Sequence, residues 1–181
     1  MEKLEKINLE ELLKRQALLD EKFKEKKSIN ERDKQGTIIA YYTELGELFQ
    51  ELKEKWCWWK NGTTSPNKQA TLEELSDTFH FYLSYLNYFD KKYEIRNLEN
   101  VKNKISTLKN ALYILTKMEE KSVEEMVGAI LIIAENVDAD EKEFLEIHHK
   151  KFLKNLNIRT KESYWFFLLK GYKNGNKIKY K

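Results

Sequence analysis

The sequence has few of the residues that break helices or make tight turns. Its 181 residues include one proline and six glycines, whereas a sheet protein of this size uses such residues at many turns. The single cysteine excludes a disulfide within the chain. These scarcities favour long helices joined by short polar loops. The length suggests one domain over residues 1–181, large enough to bury a core.

The sequence also lacks a long apolar run and a strong net charge. No apolar stretch approaches the roughly 18 residues that span a bilayer, and the opening MEKLEKINLEELLKRQ is too charged for a signal peptide. Charged residues make up 35% of the chain, interleaved to a net charge of only +3, and the one basic concentration is the tail, residues 170–181. We therefore expect a soluble, cytoplasmic protein without a nucleic-acid or membrane partner.

Apolar residues recur at the 3–4 spacing of amphipathic helices along most of the chain. No stretch alternates at period two, so the predicted fold is all-α, a helical bundle. Ser122 and Glu125 match a capping box that opens one of the helices. The predicted helices cover residues 9–23, 37–56, 71–89, 95–118, 122–137 and 141–156.

Three carboxylates follow one another at helical spacing on the second predicted helix. Glu44, Glu47 and Glu51 fall in one narrow strip at about 100° per residue, just before the tryptophan-rich stretch WCWWKNG. Glu44 borders the apolar stripe of the helix. Taken alone, this pattern is typical of a solvated helix flank.

The third predicted helix is apolar on two nearly opposite faces, which indicates a buried helix. Glu74 and Asp77 lie on the second of these faces, one turn before Phe81. Buried carboxylates need compensation, and the nearest lysine in the sequence, Lys68, lies in the preceding loop. A capping box from Thr71 to Glu74 would account for Glu74 but not for Asp77.

A divalent metal would compensate these carboxylates better. Residues three apart on a helix project together, and antiparallel packing would bring the pair Glu44 and Glu47 to face Glu74 and Asp77. Mg²⁺ takes carboxylate oxygens, keeps several waters and binds phosphate oxygens. The pattern therefore suggests a Mg²⁺ site used in phosphoryl chemistry.

These motifs resemble a known family. The stretch ELGELFQELKEKWCWWKNG, followed by LEELSDTFHFYLSYL, resembles the dimeric all-α dUTPases, relatives of the MazG-like nucleotide pyrophosphatases. The family pattern is an ExxE helix, a Trp-Lys loop and an ExxD helix that runs into His-Phe. In this chain these elements are the two carboxylate pairs, Trp59-Lys60 and His80-Phe81. The resemblance covers roughly residues 12–90.

Further segments resemble other parts of the family pattern. KRQALLDEKF resembles the first helix of the family, in which a glutamine and a polar residue face the nucleotide, here Gln16 and Asp20. KKFLKNLNIR resembles a phosphate-binding run, with Arg159 one position later than in the family. GYKNG, at residues 171–175, resembles a Gly-Tyr element and follows an aromatic insertion.

The resemblance implies a homodimer that hydrolyses dUTP, and also dUDP, with dUTP giving dUMP and pyrophosphate. It implies that Glu44, Glu47, Glu74 and Asp77 hold Mg²⁺, and that Glu44 and Glu47 act in catalysis, with Glu47 orienting the attacking water. We interpret His80 as a neighbour of the metal ligands rather than a ligand, and we expect Trp58 to pack. The implied substrate-binding residues are Gln16, Asp20, Trp59, Lys60, His80, Lys151, Asn155, Arg159, Tyr172 and Lys173.

Other functions remain open at this stage. Within the same superfamily, the substrate could be dCTP or several nucleotides. A di-iron bundle could use Glu146-x-x-His149 and Asp77-x-x-His80 together with Glu44. A non-catalytic helical interaction module would depend on the apolar helices of residues 95–137.

Overall fold

The computed structural model describes residues 6–61, 64–89 and 93–156, and within these ranges the chain is helical and forms no strand. The prediction of an all-α fold is confirmed. The helices are α1 Leu9–Lys27, α2 Lys34–Glu51, α3 Lys53–Trp56, α4 Lys68–Leu86, α5 Leu98–Lys104, α6 Leu108–Leu115, α7 Val123–Glu135 and α8 Glu141–Asn155.

The fourth predicted helix, 95–118, is wrong as a continuous element, because the chain leaves helical geometry between α5 and α6. Ile105 has a ψ of 82°, and the Thr107 side chain accepts a hydrogen bond from the backbone N–H of Asn110 at 3.1 Å. Threonine and serine compete with helical backbone bonds in this way. The unbroken apolar periodicity concealed the break.

Two helix starts bear on the sequence interpretation. The capping box at Ser122 and Glu125 is confirmed. The alternative cap from Thr71 to Glu74 is wrong, because α4 begins at Lys68 and is capped by Asn67, which accepts from the Ala70 N–H at 3.0 Å. Glu74 therefore lies well inside the helix and is not occupied in closing its start.

Helix α4 is the centre of the bundle. Its partner α2 runs antiparallel to it, since Thr37 at the start of α2 is hydrogen-bonded to Tyr88, just past the end of α4, at 3.1 Å. Helices α1, α7 and α8 pack against other parts of the α4 surface. The apolar core of α4 is fully buried and consists of Leu72, Leu75, Phe79, Tyr82 and Leu83.

Polar side chains are buried on α4 as well. Ser76, His80 and Ser84 recur four residues apart, so they share one face. This face meets α1 and α8, where Gln16 and His148 supply hydrogen-bond partners. Glu74 and Asp77 are half-buried beside α2. No helix among the described residues combines the length and apolar character needed to cross a membrane.

Candidate metal and nucleotide site

Carboxylates from α2 and α4 converge at the middle of this helix pair. One oxygen from each of Glu44, Glu74 and Asp77 lies within 4.8 Å of the others, and all three residues are half-buried. Glu47 is exposed and lies outside this group. The structure thus brings together three of the four residues that the resemblance assigned to the metal. We call these three residues the carboxylate cluster.

The charges of the carboxylate cluster act on one another. Burial raises the pKa of Glu44, and the charges of Asp77, Glu47 and Glu74 raise it further. The pKa of Glu74 is raised by burial and by the charges of Asp77 and Glu47, against the opposing charge of Lys151. Negative groups held this close are stabilised by a cation between them.

Lys151, on α8, donates to Asp77 Oδ2. Burial still raises the pKa of Asp77, although the hydrogen bond and charge of Lys151 oppose this. The sequence pointed to Lys68 as the nearest lysine, and the structure corrects this. Lys68 is the first residue of α4 and donates instead to Glu143 Oε2 at 2.7 Å and to the Asp138 carbonyl at 2.6 Å.

The donor set fits a divalent cation. The charges of Lys151 and, more weakly, Lys154 oppose the raised pKa of Asp77 but do not reverse it. Every available ligand atom in the carboxylate cluster is oxygen, the atom that hard cations such as Mg²⁺ take. Neither His80 nor His149 joins this group among the described residues. The arrangement therefore disfavours the di-iron alternative, which requires a histidine ligand in each of two motifs.

A buried polar network lies on the α1 side of α4. Gln16 Nε2 donates to Asp20 Oδ1 at 2.7 Å, and His80 Nδ1 is 2.8 Å from Gln16 Oε1. The structure thus unites three of the residues that the resemblance assigned to the nucleotide. We use the name polar pocket for the buried group Gln16, Asp20 and His80, and the name denotes these residues and not an open cavity.

Arg32 completes this network, and the sequence analysis missed it. The residue lies in the loop between α1 and α2 and donates to Asp20 Oδ2 at 2.7 Å. Burial raises the pKa of Asp20, while the bond from Gln16 and the charge of Arg32 lower it. Burial of the Asp20 carboxylate calls for a cation nearby, but this burial becomes known only from the structure.

His148, on α8, was also missed. Its ring stacks on His80 with 3.9 Å between centroids, and its Nδ1 is 3.1 Å from Ser76 Oγ. Burial, with the charge of Lys151, lowers the pKa of His80 to about 3. Burial also lowers the pKa of His148 well below its usual value. Both rings are therefore neutral at physiological pH.

The tryptophan-rich loop lies after α3. Trp56 Nε1 donates to the Phe49 carbonyl at 2.7 Å, and the Trp59 ring meets the edge of Trp56 at 5.6 Å. Trp59 is 59% exposed and Trp58 is 84% exposed, so the expectation that Trp58 packs is wrong. Lys60 is exposed beside them.

The C-terminal candidates are only partly described. Lys151 and Asn155 lie on α8, one turn apart and half-buried. Arg159, Tyr172 and Lys173 lie outside the described residues, as do the aromatic insertion and the basic tail.

The fold and site define an all-α bundle with a candidate metal centre beside a buried polar pocket. A family model described as dUTPase matches residues 8–164. The chain belongs to this dUTPase family, and the prediction of its enzyme class, dUTP diphosphatase, is confirmed. The match extends past the resemblance at residues 12–90 and includes α5 to α8, which disfavours the interaction-module alternative. No curated protein matches the chain.

Proposed function

We propose that the protein hydrolyses dUTP to dUMP and pyrophosphate with Mg²⁺, and that it accepts dUDP as a second substrate. The observation that carries the proposal is the carboxylate cluster, formed by a chain of the dUTPase family. Three half-buried carboxylates lie together and have raised pKa values, and their oxygen atoms are the ligands that a hard divalent cation takes. The phosphates of a nucleotide are the substrate groups that such a cation binds.

Each part of the site has a proposed role. Glu44, Glu74 and Asp77 hold the metal, which when bound neutralises phosphate charge and lowers the pKa of water. Glu47 is exposed and lies one turn from Glu44, and its proposed role is to complete the metal ligands and to orient the attacking water as a general base. Glu44 assists Glu47 in catalysis through its charge.

The phosphate end of the substrate needs positive charge and hydrogen-bond donors. Lys151 is near the carboxylate cluster through its bond to Asp77 and is the proposed partner of a phosphate oxygen. We propose that Lys60, Asn155, Arg159, Tyr172 and Lys173 also bind the phosphate end of the substrate. We further propose that residues 1–181 act as one nucleotide pyrophosphohydrolase domain with a basic tail at 170–181.

The nucleoside end is proposed to occupy the polar pocket. Gln16, Asp20 and His80 are buried and hydrogen-bonded to one another, so they offer fixed polar atoms, as a recognition site requires. Trp59 is exposed and edge-packed against Trp56, and it is the proposed stacking partner of the base or sugar.

A homodimer in the cytoplasm is the proposed state of the enzyme. Large apolar side chains are exposed on one side of the bundle, at Ile39 and Tyr42 of α2 and at Tyr113 of α6. The Tyr42 hydroxyl donates to the carbonyl of Thr116, just after α6, at 3.3 Å, which places these helices side by side. Exposed apolar residues grouped in this way are suited to a subunit interface. Sedimentation equilibrium should give twice the mass of one chain.

The decisive experiment measures product release from dUTP, dUDP, dCTP and dTTP, with and without Mg²⁺. Pyrophosphate release from dUTP should require Mg²⁺ and exceed that from the other triphosphates. Glu44→Gln and Asp77→Asn should each lower the rate at least about 100-fold, the scale of losing a group that stabilises the transition state. The matched control is Glu99→Gln, an exposed glutamate of α5. Wild-type rates in either cluster variant would contradict the proposal.

A further inference from the structure

The polar pocket is held by hydrogen bonds that begin outside it, at Arg32. Arg32 donates from Nη1 to Asp20 Oδ2 and from Nη2 to the Asn87 carbonyl, both at 2.7 Å. Its guanidinium also lies over the Tyr88 ring, 4.3 Å from the centroid. The arginine is thus held at the C-terminal end of α4, and its guanidinium forms an ion pair with the Asp20 carboxylate of α1.

The direction of each bond follows from the chemistry of the groups. Arginine only donates, and Ser84 Oγ donates to the same Asp20 oxygen at 3.0 Å. Beside the guanidinium, Asp20 accepts at both oxygens, so Gln16 must donate its Nε2 to Oδ1. The Gln16 oxygen then faces His80. Because that oxygen only accepts, His80 must donate from Nδ1.

This sequence of bonds decides where the His80 proton lies. A neutral imidazole carries one proton, so a proton on Nδ1 leaves a lone pair on Nε2. Nε2 is buried, and no described residue forms a hydrogen bond with it. The backbone carbonyl of His148 is a competing acceptor that favours a ring proton, but it does not reach hydrogen-bond geometry with Nε2.

We propose that the Arg32–Asp20 ion pair is a positioning device that fixes the tautomer of His80 through Gln16. The inference rests on the proposed function, because these residues form the nucleoside end of the site. With the ion pair in place, His80 offers a lone pair at Nε2, whose matching ligand group is a hydroxyl or an N–H. Without the ion pair, Asp20 can take up a proton, and the protonated carboxyl lets the Gln16 amide turn over and the tautomer reverse.

Asp20→Asn tests this proposal, because it replaces one carboxylate oxygen of Asp20 with an NH₂ group and leaves the other oxygen in place. Arg32 and Ser84 retain an oxygen acceptor, so the new NH₂ group must face Gln16. Gln16 then accepts through its oxygen and presents its own NH₂ to His80, whose proton moves to Nε2. The measurement is ¹⁵N NMR of the imidazole nitrogens in the full-length enzyme without nucleotide. The chain has only three histidines, and His149→Gln assists assignment.

Three further variants distinguish the effect of the Arg32–Asp20 ion pair on the tautomer from the effect of altered side-chain packing. Ser84→Ala removes a neutral donor and should leave the proton on Nδ1. Arg32→Met should make the tautomer depend on pH, because Asp20, which also faces Gln16, Ser84 and Tyr88, loses its only cation among the described residues. Arg96→Met is the matched control, because Arg96 is exposed and paired with Glu94, and it should change nothing.

Kinetics give a second readout. Asp20→Asn should raise the KM for dUTP about 10-fold, since a mispaired buried hydrogen bond costs roughly that factor in binding, while kcat changes less because the carboxylate cluster is intact. A wild-type proton on Nε2, or a proton that stays on Nδ1 in Asp20→Asn, would overturn the inference. The NMR result does not depend on turnover, so a failure of dUTP hydrolysis would refute the proposed function alone.

Discussion

Lys151 on α8 donates to Asp77 Oδ2 on α4 and so places one positive charge against the carboxylate cluster. The two residues are 74 positions apart in the sequence. In the structure, the lysine is bonded to one of the two oxygens of Asp77, a member of the carboxylate cluster. We therefore expect a cation at the cluster to compete with Lys151 for Asp77, and this competition can be measured.

Lys151→Met should tighten Mg²⁺ binding and slow hydrolysis. The variant frees Asp77 Oδ2 and removes a repelling charge, and a charged hydrogen bond of about 1.5–3 kcal/mol corresponds to roughly a 10-fold or greater change in affinity. Hydrolysis should fall because a phosphate oxygen loses its proposed partner. Calorimetric titration with Mg²⁺ gives the affinity. Lys150→Met, an exposed neighbour on α8, should leave both quantities unchanged, whereas weaker Mg²⁺ binding in Lys151→Met would contradict the competition.

The stability of the metal-free protein should depend on the pH through the carboxylate cluster. The pKa values of Glu44, Glu74 and Asp77 are raised in the fold, so these groups hold protons more tightly when folded than when unfolded. Their contribution is fully present below their ordinary pKa values of 4.5 for glutamate and 3.8 for aspartate. It is lost as the pH rises through the folded values.

Glu44→Gln should therefore raise the Tm of the metal-free protein at pH 7.5 but not at pH 4. The rise should be at most about 3 °C, because half-exposed charges interact weakly. Thermal unfolding in EDTA at constant ionic strength measures it, with Glu99→Gln as the control. A lower Tm for Glu44→Gln at pH 7.5 would show that the metal-free cluster is not under charge repulsion.

Trp59→Phe should abolish the change in fluorescence that nucleotide binding produces. Trp59 is exposed and is the proposed stacking partner of the base or sugar, and stacking on its ring would quench the emission. The titration uses dUMP with Mg²⁺. Trp58→Phe is the matched control, because Trp58 is still more exposed and meets the Trp59 ring only edge-on. Quenching that persists in Trp59→Phe and disappears in Trp58→Phe would reverse the two roles.

Phe79→Ala should cost about 3–5 kcal/mol of unfolding free energy, the usual cost of truncating a fully buried phenylalanine. Phe79 is inaccessible to solvent at the centre of α4 and contacts the rings of Tyr82, Phe144 and His148. Urea denaturation measures the loss. The same change at Phe23, which is exposed on α1, should cost less than about 1 kcal/mol, and equal losses would mean that α4 is not the centre of the core.

The sequence predicted the carboxylate cluster because spacing along a helix fixes which side chains project together. Glu44 lies beside an apolar stripe, and Glu74 and Asp77 lie three apart on a helix with two apolar faces, so packing of adjacent helices was enough to predict their meeting. The family resemblance supplied Gln16 and Asp20 from one motif and His80 from another, and the structure brings the three into contact.

The partners of these groups could not be predicted, because they come from distant parts of the chain. Lys151 contacts Asp77 from α8, the last described helix. Arg32 contacts Asp20 from a loop whose sequence shows mostly polar residues between two helices. The break between α5 and α6 depended on the Thr107 side chain, a local competition that apolar periodicity does not reveal. Residue spacing along a helix predicts which side chains share a face, whereas the tertiary fold determines which residues contact that face.

Helix α4 contributes residues to both halves of the candidate site. Asp77 belongs to the carboxylate cluster, and His80, three residues later, belongs to the polar pocket. The orientation of α4 about its axis therefore fixes the positions of Asp77 and His80 together. A rotation of α4 that improved the fit to a different base would also displace the proposed metal ligands. Mutations that retune substrate choice should consequently arise on α1 or in the Arg32 loop, where they leave the reacting end undisturbed.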